Sequence, residues 1–296
     1  FLQSAGAASA LVISGCDFWQ RPAWVPPARV ERSRLLAPPG AVVDNISHVL
    51  ARLSFGATPW EHARVQALGV EAYIEEQLNP AYLEDAACDY ALRRLETLRV
   101  PARELFEYQD ALLLEECSRA TLLRAVYSER QLFEVMVEFW TDHFNIAWSK
   151  GDCRWLKPGD DRDVIRKHAM GTFPDLLRAT ATSPAMLWYL DGRLNTRAYM
   201  GERPNENYAR ELLELHALGV RGGYSQRDVA ETARCFTGWQ VRQEEWFGRG
   251  TVSFVPELHD DGEKQVLGST IPAGLGAEDV DAVLGIVTRH PATARH

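Results

Sequence analysis

Apolar residues recur every three or four positions through most of the chain, the spacing of one helix face. The pattern is clearest from Arg203 to Gly219, where Tyr208, Leu212, Leu215 and Leu218 form a stripe predicted to face a core. Pro204 suits the first helical position, Asn205 a cap from just outside the helix and Gly219 the stop. Asn207, Arg210, Glu211 and Glu214 fall at i, i+3, i+4 and i+7 on another side, so four hydrogen-bonding groups converge there.

The same reading places helices along the rest of the chain. Thr58 and Glu61 make a capping box with Pro59 inside it, opening a helix that ends near Gly69. Further helices are predicted over Val70–Leu78, Tyr82–Leu98, Ala102–Tyr127 and Glu129–Trp148. On the last of these, Leu132, Met136, Phe139, Trp140 and His143 share a face, which buries His143 among aromatics. Glu138, Asp142 and Asn145 occupy another side.

Lys150–Asp161, with two glycines and a proline, reads as a loop, followed by helices at Val164–Met170, Phe173–Thr182 and from Ser183-Pro184. Asp191–Gly201 is a polar loop delivering side chains onto the central helix. Ser225 and Asp228 cap one more helix. Residues 251–255 alternate as a short strand, and His259–Lys264 reads as a polar turn, either an exposed hairpin tip or a flap over the site. The fold class is therefore mainly α, a multi-helix bundle-like domain over residues 45–296 with a short β-hairpin near the C-terminal part.

Composition adds limits. The 296 residues are 46% apolar and 25% charged, ordinary for a globular protein. A net charge of −9 without a Lys/Arg-rich block excludes a general nucleic-acid role. Cys88, Cys117, Cys153 and Cys235 show no metal-type spacing, and their pairing stays open. No Gly-x-Ser-x-Gly elbow, His-Glu-x-x-His or phosphate-cradling glycine loop is present.

Residues 1–16 read as the remainder of an export signal: Phe1-Leu2-Gln3 resembles the residues after the paired arginines of a twin-arginine signal. Val12–Cys16 resembles a lipobox, making Cys16 the lipid anchor and the membrane a partner. The run is too short to span a bilayer. Residues 17–44 hold five prolines, with Arg21, Arg29, Arg32 and Arg34, and read as a tether. The expected location is the periplasm or cell surface.

Several segments together resemble the bacterial domain-of-unknown-function 1800 family. They are His48–Gly56, Glu138–Asn145, Pro184–Asp191, Gly201–Gly223, Phe236–Trp239 and His259–Lys264. The resemblance implies an exported, mostly helical protein, often encoded beside an exported family of sulfatase-like character, hence a co-exported partner. It implies no reaction. Family members continue further, so the chain is expected to lack segments at both ends.

The residues support two functional readings. In the first, Glu211, Glu214 and His143 are candidate catalytic groups, with Arg203, Asn205, Glu206, Asn207, Arg210 and His216 binding a ligand. Acid–base work on a polar substrate such as a glycan or ester, or a divalent metal held with His143, would suit them. On a straight α-helix His216 lies about 140° from Glu211 and about 200° from Glu214, so these could not share one metal. In the second, the polar helix is a buried packing network or a docking surface in a non-catalytic protein.

Overall fold

The computed structural model describes residues 44–197, 203–243 and 248–296. The signal-like stretch 1–16 with Cys16, the tether as far as residue 43 and positions 198–201 of the polar loop lie outside the described residues. The described residues are mainly helical, with two small antiparallel hairpins toward the C-terminal end.

α1 (Asn45–Leu53) is capped by Asp44, whose carboxylate accepts the Ser47 N–H at 3.0 Å. α2 (Pro59–Leu68) opens on the expected Thr58–Glu61 capping box, and α3 (Val70–Leu78) follows Gly69. These three pack on Leu50, Val65 and Tyr73, a small cluster of their own.

Two long predicted helices break. Tyr82–Leu98 holds only α4 (Ala86–Leu92) between 3₁₀ turns. Ala102–Tyr127 is a 3₁₀ turn at Ala102–Glu107 and then α5 (Asp110–Tyr127). A buried carboxylate explains the fold-back. Glu116 on α5 accepts from the Thr97 N–H at 2.8 Å and the Thr97 hydroxyl at 2.7 Å, stitching the turn onto the helix.

α6 (Gln131–His143) follows. α7 (Cys153–Asp160) then stands where glycine and proline content predicts a loop. Burial overrides the local signal: Cys153, Leu156, Pro158 and Gly159 are all buried. Gly159 permits it, since a Cβ there would come within 2.9 Å of the Ala102 Cβ. The helix runs on through a π turn (Asp161–Ile165) into α8 (Arg166–His168).

α9 (Phe173–Ala181) and α10 (Pro184–Tyr189) start on Thr172 and Ser183 caps. α11 (Asn207–Glu211) continues as a second π turn (Leu212–Ala217). Its apolar side, with Leu212 and Leu213, packs in the main core with Met186, Phe236 and Val283. Each such side chain contributes about 1.5–3 kcal/mol on burial.

α12 (Gln226–Cys235) precedes β1 (Trp239–Val241), which pairs antiparallel with β2 (Val252–Phe254). β3 (Lys264–Val266) pairs with β4 (Ser269–Ile271) across Leu267 and Gly268, both at positive φ as a tight hairpin requires. α13 (Asp279–Arg289) closes the described order. No helix of the described residues is long and apolar enough to cross a membrane.

Candidate functional site

Pro204 and Asn205 precede the central helix rather than starting it. The Asn195 side chain accepts the Asn205 N–H at 2.9 Å, and the Asn205 side chain accepts the Asn207 N–H at 2.9 Å. Helical geometry therefore begins only at Asn207. A π turn then closes its hydrogen bonds one residue further along than an α-helix, so the chain rotates less per residue.

That slip reorders the faces. Leu215, predicted in the core stripe, is 50% exposed, whereas Leu213, His216 and Ala217 are buried. It also undoes the separation expected on a straight helix. Glu211 and His216 line the same cleft, of about 370 Å³, with Asp142, His143 and Asn145 from the end of α6 and Tyr189 from α10.

Two imidazoles close the end of the π turn. The last carbonyls of a helix lack intrahelical partners, and here His143 Nε2 reaches the His216 carbonyl at 3.0 Å and His296 Nε2 the Leu215 carbonyl at 2.9 Å. A carbonyl only accepts, so each Nε2 carries the hydrogen and each Nδ1 keeps its lone pair. His143 sits 4.7 Å from the Phe144 ring and 6.5 Å from His216, centroid to centroid.

The charges in the cleft are shifted toward neutrality. Burial, and then the neighbouring Glu214, push the Glu211 carboxyl above its ordinary value. Burial pulls His143 below the usual imidazole range, against the His216 carbonyl bond. His216 is 5% exposed, and burial and then His143 lower it to about 4. Its Nδ1 is buried with no hydrogen-bond partner among the described residues, as is the hydroxyl of Tyr208, whose ring lies 6.3 Å away.

The predicted residues divide. Glu211, His143 and His216 come together at one cleft; the others do not join them. Glu214 turns to the Tyr224 hydroxyl, 3.5 Å away. Arg210 binds Glu206 and Gln226, each at 3.0 Å, and Gln226 returns a bond to Glu206 at 2.6 Å. Asn207 donates to the Leu190 carbonyl at 3.0 Å, fixing the cleft wall rather than a ligand, and Arg203 is exposed. Tyr189, Asp142 and Asn145 are polar cleft residues that the sequence reading did not select for the site. The adjacency of Asp142 to His143 was the one available signal.

Among the described residues no three His, Cys, Asp or Glu side chains group as a metal would require. The four described cysteines are free thiols. Burial raises Cys88 and Cys153 to about 11 and Cys117 and Cys235 to about 12, which keeps them unreactive. A larger hollow of about 510 Å³ lies beside α2 and the end of α5. Several of its polar groups are already committed. Gln77 bonds Glu129 and Leu132 backbone, Gln131 bonds Phe55 and Ser128 backbone, and Arg64 pairs with Glu76.

The His259–Lys264 turn keeps an exposed tip at Asp261 and Glu263 but is no flap over the cleft. Its ends plunge into the core: His259 is 3% and Lys264 1% exposed, and both reach Asp279 Oδ2, at 3.1 and 2.5 Å. The tip is held by Arg234, which grips Asp260 through two bonds of 2.7 and 3.0 Å. Gly238, at φ +85°, lets the chain in, because a Cβ there would sit 2.9 Å from the Val255 carbonyl.

Fold and site thus define a mainly helical domain with one imidazole–carboxylate cleft and one sealed ion cluster. The chain belongs to the family described as Protein of unknown function (DUF1800), whose model matches residues 48–296. No curated protein and no solved structure matches the chain.

Proposed function

We propose that the cleft between α6 and the π turn is the acid–base site of an enzyme acting on a polar, uncharged substrate such as a glycan or ester. The observation that carries this reading is the convergence of Glu211, raised in pKa, with His143 and His216, both lowered, on one opening. Shifts in these directions favour a carboxylic acid that donates beside an imidazole that accepts.

The roles follow from the hydrogens. Glu211 gives its proton to the leaving oxygen. The His143 lone pair at Nδ1 takes one from the attacking water, since Nε2–H is engaged with a carbonyl. His216 positions His143 through that carbonyl. The Asp142 carboxylate at the cleft disfavours anionic substrates. A metal-assisted version has less support, because the described residues offer no ligand trio.

Hydrolysis of nitrophenyl glycosides and esters by the purified chain is the test. Turnover should be lost in Glu211→Gln and in His143→Asn while the melting temperature holds. A panel without turnover, or turnover untouched by either change, defeats the reading. The second reading, a packing network, draws its support from the closed Glu206–Arg210–Gln226 triangle on the same helix.

We also propose, from the lipobox-like Val12–Cys16, that the protein is exported and anchored through a lipidated Cys16, beside a co-exported partner. Cys16→Ser should move it from the membrane to the soluble fraction; unchanged fractionation rejects the anchor.

A further inference from the structure

A second cleft, of about 190 Å³, opens on the other side of Asp142, between α5, α6 and the first π turn. Two arginines face it, and they differ. Arg166 is spent on Glu134 in a two-pronged pair at 2.8 and 2.6 Å. Arg124 has a side chain only 16% exposed, yet it makes no hydrogen bond to a described residue. The oxygen of its nearest carboxylate partner, on Asp161, is 3.9 Å away, beyond hydrogen-bond reach.

A guanidinium offers five N–H donors in a planar fork that fits a carboxylate. Here that fork is mostly buried and meets Asp161 only as a loose ion pair at 3.9 Å, which leaves its N–H donors open to a ligand. Burial, and then the like charge of Arg166, also pull the Arg124 pKa below its ordinary value. On the α6 wall of the cleft, Glu138 and Asp142 stand one helical turn apart, exposed and without a hydrogen bond to a described residue. One wall therefore asks for a carboxylate and another for a cation.

We propose that this cleft binds a basic α-amino acid, its carboxylate on Arg124 and its ammonium groups at Glu138 and Asp142. Charge favours a basic one. With Arg166 and Glu134 cancelling, one cation (Arg124) faces three anions (Glu138, Asp142 and Asp161). Size favours a single residue over a peptide, since the volume equals that of about six liquid waters. The assignment does not depend on the chemistry at Glu211. The two clefts share Asp142 alone.

Calorimetric titration of the purified chain with L-lysine tests it, with L-glutamate, acetate and butylamine as comparison probes. Lysine should bind saturably, glutamate at least about tenfold more weakly, and the two fragments without saturation. Glu138→Gln, at an exposed position, should fold normally and weaken lysine about tenfold. Arg124→Gln should abolish binding. Glu211→Gln, in the other cleft, should leave it unchanged. No saturable heat with lysine, acetate binding as well as lysine, full affinity in Glu138→Gln, or loss in Glu211→Gln would each overturn the proposal.

Discussion

Two of the molecule's assemblies of imidazole and carboxylate are built on opposite principles. Around Asp279 the groups are sealed: His259, Lys264 and Asp279 are each 3% exposed or less, and the imidazole and the ammonium both touch the same carboxylate oxygen. Around Glu211 they are open, on a cleft, with no ion pair to Glu211 or His143 among the described residues. Closed pairs fix a fold; groups left unpaired beside an opening remain available to a ligand. Both assemblies are rich in the same residue types, so composition alone could not rank them.

The largest test of that contrast is to cut each assembly once. Asp279→Ala leaves the Lys264 ammonium buried without its partner and should cost about 3–5 kcal/mol in denaturant unfolding. Glu211→Gln should cost less than about 1 kcal/mol, since the carboxyl is half-buried beside an opening and has no ion pair to lose among the described residues. Equal losses would erase the distinction.

Next comes the π turn that builds the open site. Leu213→Ala should destabilise by about 2–5 kcal/mol, as core leucines do. Leu215→Ala, at a half-exposed position, should fall within about 0.5 kcal/mol. The reverse order would restore the uniform α-helix and pull Glu211 and His216 apart.

A pH experiment probes burial at the cleft. His216 is lowered from 6.5 to about 4, so its contribution is present above pH 6.5 and lost as the pH falls toward 4. Asp160, wholly buried against Ser183, is raised from 3.8 to about 6 by desolvation, and its contribution runs the other way, lost as the pH rises toward 6. Between pH 4 and 6 the two oppose each other. Asp160→Asn should therefore unmask the histidine, steepening the acid loss of stability by roughly 3 kcal/mol against the parent chain. Parallel profiles would mean that Asp160 is not raised, and a flat Asp160→Asn profile between pH 6.5 and 4 would mean that His216 is not lowered.

How much of the fold and the cleft was legible in the sequence depended on where local rules and tertiary packing agreed. The Thr58–Glu61 and Ser225–Asp228 caps could be read because both partners lie within one turn. The helix carrying Glu211 could be seen, but not its register after Leu212, because nothing local announces an i→i+5 turn. Cys153–Asp160 was hidden for the opposite reason, its proline and glycine speaking for a loop that burial overrules. The His259–Lys264 turn read as an exposed tip or a flap because Asp279, which anchors both of its ends, stands at the start of α13, beyond the reach of any local rule.

The smallest predicted effect bears most directly on the rival reading of the polar helix. Glu206 and Arg210 form an i, i+4 pair at 3.0 Å with side chains 24% and 39% exposed. Pairs of that exposure contribute about 0.5 kcal/mol, because water and salt screen them and both side chains must be held in place. Glu206→Gln should therefore lower stability by no more than that, and turnover or binding at the Glu211 cleft should not change, because the triangle lies outside it. Suppose instead that Glu206→Gln costs several kcal/mol, or silences the cleft along with Glu211→Gln. The helix would then act as one continuous network, and the division between a sealed structural cluster and an open chemical one would give way to a single packing role.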